Sequence, residues 1–193
     1  MYDSEIHHRQ SIRLRDYDYS TAGYYFVTVC VQRKEPLLGE IGDGAMLLND
    51  AGRMFAYVGW KLSQRYPNVA LDEYVVMPNH FHGILVVGGR GESCIRPPLV
   101  GCSAKGDHKD RPYGTTDGSV GRIIQAFKSL STNRYIHGVK KNNWPPFPGK
   151  FWQRNYYERI IRTETELNNI RQYIRDNPCK WTDDPENSIN PQP

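Results

Sequence analysis

Residues 74–87 constrain the fold of this chain more than any other part of the sequence. They read YVVMPNHFHGILVV, in which two runs rich in β-branched residues flank a Pro–Asn turn. Successive strand residues point to opposite faces of a sheet. His80 and His82, at the start of the second run, therefore share one face, while Phe81 points to the other. The pattern predicts a β-hairpin with two adjacent imidazoles near its turn and Phe81 in the core.

Two imidazoles on one face of a strand supply half of a metal site, because neutral imidazole is a common metal ligand. The alternative is a pair of surface histidines without a ligand. The histidine–apolar–histidine pattern favours the metal role over that alternative. Cys94, Cys102 and His108 could complete a zinc site with the pair, but their spacing fits no common zinc motif.

Length and composition predict one soluble domain. The chain has 193 residues, a hydrophobic content of 38% and a mean hydropathy of -0.68. Its longest apolar run, ILVV, is too short to cross a bilayer, and the N-terminal residues lack the apolar segment of a secretion signal. Four cysteines without a CxxC pair are typical of free thiols in a cytoplasmic protein. We therefore expect a cytoplasmic location and no membrane partner.

The charge distribution is compatible with nucleic-acid binding. The formal net charge is +4 and the isoelectric point is near 8.8, which permits a nucleic-acid partner without requiring one. The alternative is a solvated basic face with no partner. Basic residues cluster near the start and in the second half of the chain, and the candidates for DNA contact are Arg13, Arg15, Arg122 and Lys128.

Hydrophobic patterns divide the chain into seven main elements. A basic arm, residues 1–20, precedes a first strand in YYFVTVCVQ and a small hairpin in LLGEIGDGAMLL. A helix capped by Asn49 or Asp50 follows and ends near Tyr66, and the histidine hairpin supplies two strands. Residues 88–117 show no period and predict a flexible insertion. The polar residues 182–193 predict a loose tail after a domain at residues 21–181.

The second half of the chain supplies a helix, a strand and a final helix. The second helix is predicted over residues 119–137, and a fourth strand in the later part of FWQRNYYERIIR. The capping-box pattern from Thr163 to Glu166 starts a last helix that ends near Asn177. The order β, α, β, β, α, β, α predicts an α+β fold: a ferredoxin-like (RRM-like) antiparallel sheet with two helices on one face and an extra C-terminal helix.

Tyr173 and Asn177 lie four residues apart, so on a helix they share a face. An exposed tyrosine on a terminal helix is usually only a surface residue. A metal held by His80, His82 and Asn177 would, however, keep open positions for a phosphate and water. Only about one tyrosine in a thousand is ionised at neutral pH with a pKa near 10. A cation beside Tyr173 would raise that fraction.

The sequence resembles the single-tyrosine HUH transposases of the smallest bacterial insertion sequences, including the REP-associated tyrosine transposases. Three pieces carry the resemblance most clearly: YVVMPNHFHGILVV, GRIIQAFKS, and FWQRNYYERIIR followed by YIRDNPCKW. The first piece and the YIRDNP piece are specific, whereas GRIIQAFKS only supports them. With the N-terminal YDYSTAGYYFVTVCVQR, the resemblance covers the chain from about Arg13 to Trp181.

The resemblance implies a metal-dependent endonuclease and transposase acting on single-stranded DNA, often one that carries a hairpin. His80 and His82 would be ligands of Mg²⁺ or Mn²⁺, and Tyr173 would be the nucleophile that forms a 5′-phosphotyrosine link. Asn177 occupies the position of a further family ligand, which can be the longer glutamine in relatives. Relatives include dimers as well as apparent monomers, so a homodimer stays open.

Rival interpretations follow from the same residues. Tyr156 and Tyr157 are alternative nucleophiles, although a place in a core strand explains them better. A ferredoxin-like sheet is also the scaffold of RNA-recognition domains, so the chain could be a domesticated binding protein that does not cut DNA. The histidine-triad hydrolases use His-x-His-x-His, and Ile84 occupies the third position of that pattern here.

Overall fold

The computed structural model describes residues 17–88 and 118–187. The arm residues 1–16, the insertion residues 89–117 and the last residues 188–193 lie outside the described part. The predictions for Arg13, Arg15, Cys94, Cys102 and His108 therefore concern residues outside it.

The described residues fold as a four-stranded antiparallel sheet with three α-helices and a small separate hairpin. The sheet order is β4-β5-β1-β6, and every pairing is antiparallel. This order and the element sequence are those of a ferredoxin-like fold, which confirms the predicted fold class. In chain order the elements are β1 (Gly23–Cys30), β2 (Gly39–Gly42), β3 (Ala45–Leu48), α1 (Asp50–Arg65), β4 (Val69–Val76), β5 (His80–Val87), α2 (Val120–Asn142), β6 (Tyr157–Ile161) and α3 (Glu164–Asp176).

Each helix begins at a polar cap that the sequence encodes. The Asn49 side chain accepts a hydrogen bond from the Gly52 amide at 2.9 Å, and Ser119 accepts one from the Arg122 amide at 3.3 Å. Thr163 caps α3 by accepting from the Glu166 amide at 3.1 Å. Helix α2 continues five residues beyond the predicted end, because its end is set by the left-handed backbone of Asn143, which the hydrophobic period does not signal.

Alternation along the strands divides the core into two layers. One layer lies between the sheet and helices α1 and α2, where Phe81 packs on Phe127 with ring centroids 5.3 Å apart. The other lies between the sheet and α3, which buries Leu167 and Ile174. Because His80 and His82 alternate with Phe81, they lie on the face that α3 covers.

The segment after α3 is packed rather than loose as far as Asn187. A 3₁₀ turn at Pro178–Asp183 leads to Asp184 and Asn187, both of which are buried. The Asn187 side chain donates to the Trp181 carbonyl at 3.0 Å, and Lys34 donates to the Pro185 carbonyl at 2.9 Å. The expectation of a loose tail therefore fails for residues 182–187. Backbone and side-chain hydrogen bonds, rather than a hydrophobic pattern, hold this segment.

In the part of the chain that the structure describes, no helix combines the length and the apolar character needed to cross a membrane.

Two helical glycines predict opposite effects of the same substitution. A methyl group at Gly138 would overlap the Trp144 indole, whereas one at Gly59 would meet its nearest neighbour, Leu71, at 3.6 Å. Alanine normally favours a helix over glycine by about 1 kcal/mol, but overpacking typically costs about 1–3 kcal/mol. We expect Gly138→Ala to lower the free energy of unfolding and Gly59→Ala to raise it. Urea denaturation of both variants measures this, and stabilisation by both would contradict the packing of Trp144.

Candidate active site

The histidine pair lies at the start of β5, one of the two central strands of the sheet, and is almost fully buried. In β5, His82 is opposite Thr28 of β1 and His80 is opposite Cys30. The exposed fractions of His80 and His82 are 0% and 3%, and their Nε2 atoms are 2.9 Å apart. The predicted arrangement of two adjacent imidazoles is therefore present, but the pair is buried.

Asn79 fixes the tautomer of His80. Its Nδ2 donates to the carbonyl oxygens of Lys34 and Glu186 at 3.0 and 2.7 Å, so its Oδ1 must face His80 Nδ1, which is 2.8 Å away. An amide oxygen only accepts, so Nδ1 of His80 carries the proton. Its Nε2 then presents a lone pair toward His82.

Thr28 holds His82 in a way that allows either tautomer. Its Oγ1 lies 2.8 Å from His82 Nδ1, and a hydroxyl can donate or accept. Two lone pairs cannot face each other at 2.9 Å without repulsion. Either a proton on His82 Nε2 or a cation must therefore join the two Nε2 atoms. Thr28 donates in the first case and accepts in the second, so it supports both.

Burial keeps both imidazoles neutral. Desolvation lowers the pKa of His80 well below its ordinary value, an effect that His82 reinforces, and it lowers the pKa of His82 to about 3. A metal ligand must be deprotonated, and proton competition weakens metal binding. At neutral pH both imidazoles are already uncharged, so neither has to release a proton from its charged form before it binds a cation.

Helix α3 brings Tyr173 to the histidine pair. The phenol Oη is 3.4 Å from His82 Nε2, and the ring makes edge contacts with His82 and Phe26. Tyr173 is nevertheless 42% exposed, so one side of the phenol faces solvent. Burial of the other side raises the pKa of Tyr173, as does the Asp184 carboxylate, while Asn177 opposes them. The phenol is thus accessible to a substrate and close to the possible cation position.

Asn177, directly after α3, is buried with an unsatisfied acceptor. Its side chain is close enough to lower the pKa values of Tyr173 and Asp184, while among the described residues its Oδ1 has no hydrogen-bond partner. A buried acceptor without a partner costs about 1–3 kcal/mol. The structure therefore places the sequence-predicted Asn177 in the same cluster as His80, His82 and Tyr173, with an oxygen available to a ligand.

Asp184 is a member of this cluster that sequence reasoning missed. The ligand atoms of His80, His82 and Asp184 all lie within 4.8 Å of one another, and the Asp184 carboxyl is buried. Desolvation raises its pKa. The sequence carries only one relevant signal, an Asp–Pro pair typical of a turn. That signal predicts a bend and says nothing about the histidines.

The donor set fits a divalent cation. Two neutral imidazoles and a carboxylate form a group that could hold a metal ion. At metal–ligand distances of about 2.1 Å, adjacent ligands of an octahedral ion would lie about 3.0 Å apart. The 2.9 Å separation of the Nε2 atoms of His80 and His82 is close to that value.

A bulge in β4 fixes the position of α3. Leu71 is opposite Leu85 and Tyr74 is opposite Gly83, so β4 holds one residue more than β5 across this interval. In a regular strand, Asp72 and Glu73 would point to opposite faces. Here both carboxylates reach the tyrosine helix.

Two ion pairs result from this bulge. Asp72 accepts two hydrogen bonds from Arg171, at 2.7 and 3.1 Å, and Glu73 accepts one from Arg175 at 2.8 Å. Arg171 and Arg175 lie two residues before and after Tyr173 on α3. The pair with Asp72 is largely buried, whereas Arg175 is more exposed. The bulge therefore holds α3 on both sides of Tyr173.

Of the predicted DNA-contact residues, two lie in the described part of the chain. Arg122 is exposed on α2 and donates to Gln125 at 3.1 Å. Lys128 donates to the carbonyl oxygens of Gln153 and Asn155 at 2.8 and 2.9 Å. The ammonium of Lys128 therefore ties α2 to the segment before β6. The helical position of Lys128 predicted an exposed side chain and did not indicate this structural role.

The rival tyrosines lie in different environments. Tyr156 packs against the core between the sheet and α1 and α2, beneath the Lys128 ammonium. Tyr157 is 47% exposed on β6 rather than in the core, with its ring centroid 6.2 Å from that of Phe26. It lies on the face of the sheet that carries the histidines. Tyr157 is therefore the natural control for Tyr173.

Metal binding should depend on Asp184 more than on its neighbour in sequence. We expect Asp184→Asn to weaken Mn²⁺ binding about tenfold or more, because affinity for a hard cation rises with the number of negatively charged ligands. His80→Ala should weaken it further. Isothermal titration calorimetry with MnCl₂ measures both effects, and exposed Asp183 gives the matched control, Asp183→Asn. Equal affinity for Asp184→Asn and the unmodified protein would remove Asp184 from the site.

Comparison with known proteins gives the fold and a family. No protein-family profile matches the chain. An uncharacterised protein of Haemophilus influenzae is 37% identical over 183 residues, which are 95% of this chain and 95% of that protein. Among solved structures, a REP-associated tyrosine transposase bound to a REP hairpin superposes with a TM-score of 0.56 and 17% identity, over 90% of this chain and 74% of that one.

A candidate transposase from Deinococcus radiodurans R1 aligns over 86% of this chain and 97% of its own, with 15% identity and a TM-score of 0.44. At 17% identity, the likeness to the REP-associated tyrosine transposase shows a common fold. The likeness to the Haemophilus influenzae protein is much closer in sequence and spans nearly the whole of both chains. The chain therefore belongs to the same family as this Haemophilus influenzae protein, and its fold is that of a REP-associated tyrosine transposase.

Proposed function

We propose that this chain is a metal-dependent single-tyrosine transposase that nicks and rejoins single-stranded DNA. One observation carries the proposal: the half-exposed phenol of Tyr173 lies 3.4 Å from a buried, neutral histidine pair that can hold a cation. A nucleophile that attacks a phosphodiester needs access to solvent-borne DNA on one side and positive charge on the other. Tyr173 has the access, and a cation held by the histidine pair would supply the charge.

The cleavage step follows from the chemistry of a phenol. The Tyr173 oxygen attacks the phosphorus, a bond from phosphorus to the tyrosine oxygen forms, and the bond to the 3′ oxygen breaks. The phenol loses its proton and the 3′ oxygen gains one, which leaves a 5′-phosphotyrosine and a free 3′-hydroxyl. Because burial raises the pKa of Tyr173, the phenol keeps its proton until an added positive charge favours the phenolate.

His80, His82, Asp184 and Asn177 are the residues that would hold Mg²⁺ or Mn²⁺, and the bound ion would offset charge on the phosphate oxygens and on the phenolate. Two imidazoles favour Mn²⁺ over Mg²⁺, which prefers oxygen ligands. Asn79 and Thr28 orient the imidazoles toward that position.

Rejoining reverses the first step with a different end of DNA. A 3′-hydroxyl attacks the phosphotyrosine, one phosphate ester replaces another, and Tyr173 recovers its proton. Since the number of phosphate esters does not change, the reaction needs no external energy source. Strand transfer then depends on which 3′-hydroxyl lies at the site.

The proposed substrate is a single strand that carries a hairpin. The REP-associated transposase of the same fold was solved with a REP hairpin, which supports a hairpin substrate here. Contact with phosphates by Arg13, Arg15, Arg122 and Lys128 remains part of the proposal, as does a homodimer. Chromosomal DNA as substrate would place the protein in the cytoplasm.

The first test is covalent capture of DNA. We expect the protein, mixed with Mn²⁺ and 5′-labelled and 3′-labelled hairpin-bearing single strands, to form an adduct that survives SDS with the 3′ label only. Tyr173→Phe should abolish the adduct and keep DNA binding, because only the nucleophilic oxygen is lost. Tyr157→Phe, an exposed tyrosine on the same face, should leave the adduct unchanged.

Two other outcomes would change the proposal. An adduct that persists in Tyr173→Phe and disappears in Tyr157→Phe would move the nucleophile to β6. Hairpin binding and Mn²⁺ binding without any adduct, across a pool of hairpin sequences, would instead favour a domesticated binding protein of this fold.

A second prediction concerns the position of the nucleophile. We expect Arg171→Ala to slow adduct formation by about 10- to 100-fold, because small displacements of a reacting group cost rate on this scale. Mn²⁺ affinity should stay the same, since Arg171 contacts Asp72 and not the cluster. The exchanged pair Asp72→Arg with Arg171→Asp should recover part of the rate.

The matched control removes another arginine that contacts α3 through an ion pair. Arg159 pairs with Glu166 at the first turn of the helix, away from Tyr173. Arg159→Ala should therefore leave the rate nearly unchanged. Equal losses in Arg159→Ala and Arg171→Ala would mean that the ion pairs act on general stability and not on Tyr173.

A further inference from the structure

Among the helices that the structure describes, basic residues are concentrated on α1 and α2, which lie on the face of the sheet opposite the histidine site. Helices α1 and α2 together carry eight lysine and arginine residues against one acidic residue, Asp50. Helix α3, which covers the histidines, carries three acidic and two basic residues. Among the described helices, α1 and α2 therefore carry the excess of positive charge, and α3 does not.

Two large aromatic side chains are exposed within this basic face. Tyr57 and Trp60 on α1 are 44% and 51% exposed, with ring centroids 5.9 Å apart. Lys61 Nζ lies 5.6 Å from the centre of the Tyr57 ring, and Arg134 of α2 reaches across to within 5.2 Å of it. Aromatic surface is costly to expose, and an exposed aromatic pair with a polar surround often marks a contact site.

We propose that these two helices form a second nucleic-acid-binding surface, which we call the α1–α2 surface. It consists of Tyr57, Trp60, Lys61 and Arg134. Unpaired bases would stack on Trp60 and Tyr57, while the two cations contact the phosphates on either side. Flat rings flanked by positive charge are the combination that binds single strands with little dependence on sequence.

The charge of the α1–α2 surface also discriminates between occupants. A second copy of the chain would bring this basic surface against itself, and like charges in an interface are unfavourable. An apolar protein partner would require apolar residues around the rings, whereas the cations of Lys61 and Arg134 lie beside the Tyr57 ring. A single-stranded nucleic acid complements both features, because its phosphates pair with the cations and its unpaired bases stack on the aromatic rings.

The location gives this surface a role separate from the chemistry. The sheet and the thickness of a helix, about 10 Å, lie between the α1–α2 surface and Tyr173. The surface would therefore bind a part of the DNA strand that is distant from the cleaved phosphate. The proposal concerns binding alone and stands whether or not Tyr173 reacts. It adds to the proposed transposase a site that retains flanking single-stranded DNA.

The test measures binding of labelled oligothymidylate, which forms no hairpin, by fluorescence anisotropy in the Tyr173→Phe background. We expect Trp60→Ala to weaken binding about 5- to 150-fold, the range for loss of one stacked base. Lys61→Ala with Arg134→Ala should reduce the slope of log affinity against log salt by about 1.4, or about 0.7 for each lost phosphate contact. This double variant keeps the aromatic pair, so it tests the surface even if Trp60→Ala folds poorly.

Two controls remove similar groups elsewhere on the molecule. Leu47→Ala removes an apolar side chain that is 54% exposed on the small hairpin, and Arg159→Ala removes an exposed cation near α3. Both should leave affinity and salt slope unchanged. Unchanged values in Trp60→Ala and in the double variant would overturn the proposal. So would self-association in analytical ultracentrifugation that Trp60→Ala abolishes without any effect on oligothymidylate binding.

Discussion

The approach of two buried imidazole nitrogens to 2.9 Å is the constraint on which the site depends. Neutral nitrogens at that distance need a shared proton or a shared cation, and the neighbouring groups leave room for both. Asn79 fixes His80 with its lone pair inward, and Thr28 accepts either state of His82. Hydrogen bonds that involve three separate parts of the chain offset the cost of burying the two imidazoles. The cluster therefore forms only when β1, β5 and the C-terminal segment are all in place.

The position of the tyrosine has a different physical basis. Apolar packing by Leu167 and Ile174 brings α3 onto the sheet, but such contacts alone would tolerate a shift along the helix axis. The ion pairs from Asp72 and Glu73 are directional and act on both sides of Tyr173. Hydrophobic burial thus determines which face of α3 packs on the sheet, and the ion pairs determine its position along the helix axis.

The fold, and the grouping of candidate residues within a single strand or helix, were predictable because local rules determine them. Strand alternation separates His80 from Phe81, and the four-residue spacing on a helix aligns Tyr173 with Asn177. Asp184 could not be predicted, because its place depends on hydrogen bonds that return the chain to Asn79 and Lys34. The three carbonyl acceptors of Lys128 are equally non-local. The periodicity of a sequence predicts which face of a helix or strand a residue occupies. It does not predict which backbone groups, distant in sequence, will contact the residue there.

The bulge in β4 has a consequence for how the protein meets other chains. An edge strand presents unpaired backbone groups that can accept a strand from a neighbouring molecule. β4 is one edge of the sheet, and its extra residue breaks the regular spacing in the middle of that edge. The carboxylates of Asp72 and Glu73 at the bulge, which form ion pairs with α3, further disfavour the pairing of a strand from another molecule. The bulge that positions the tyrosine helix thus also reduces edge-to-edge aggregation of the sheet.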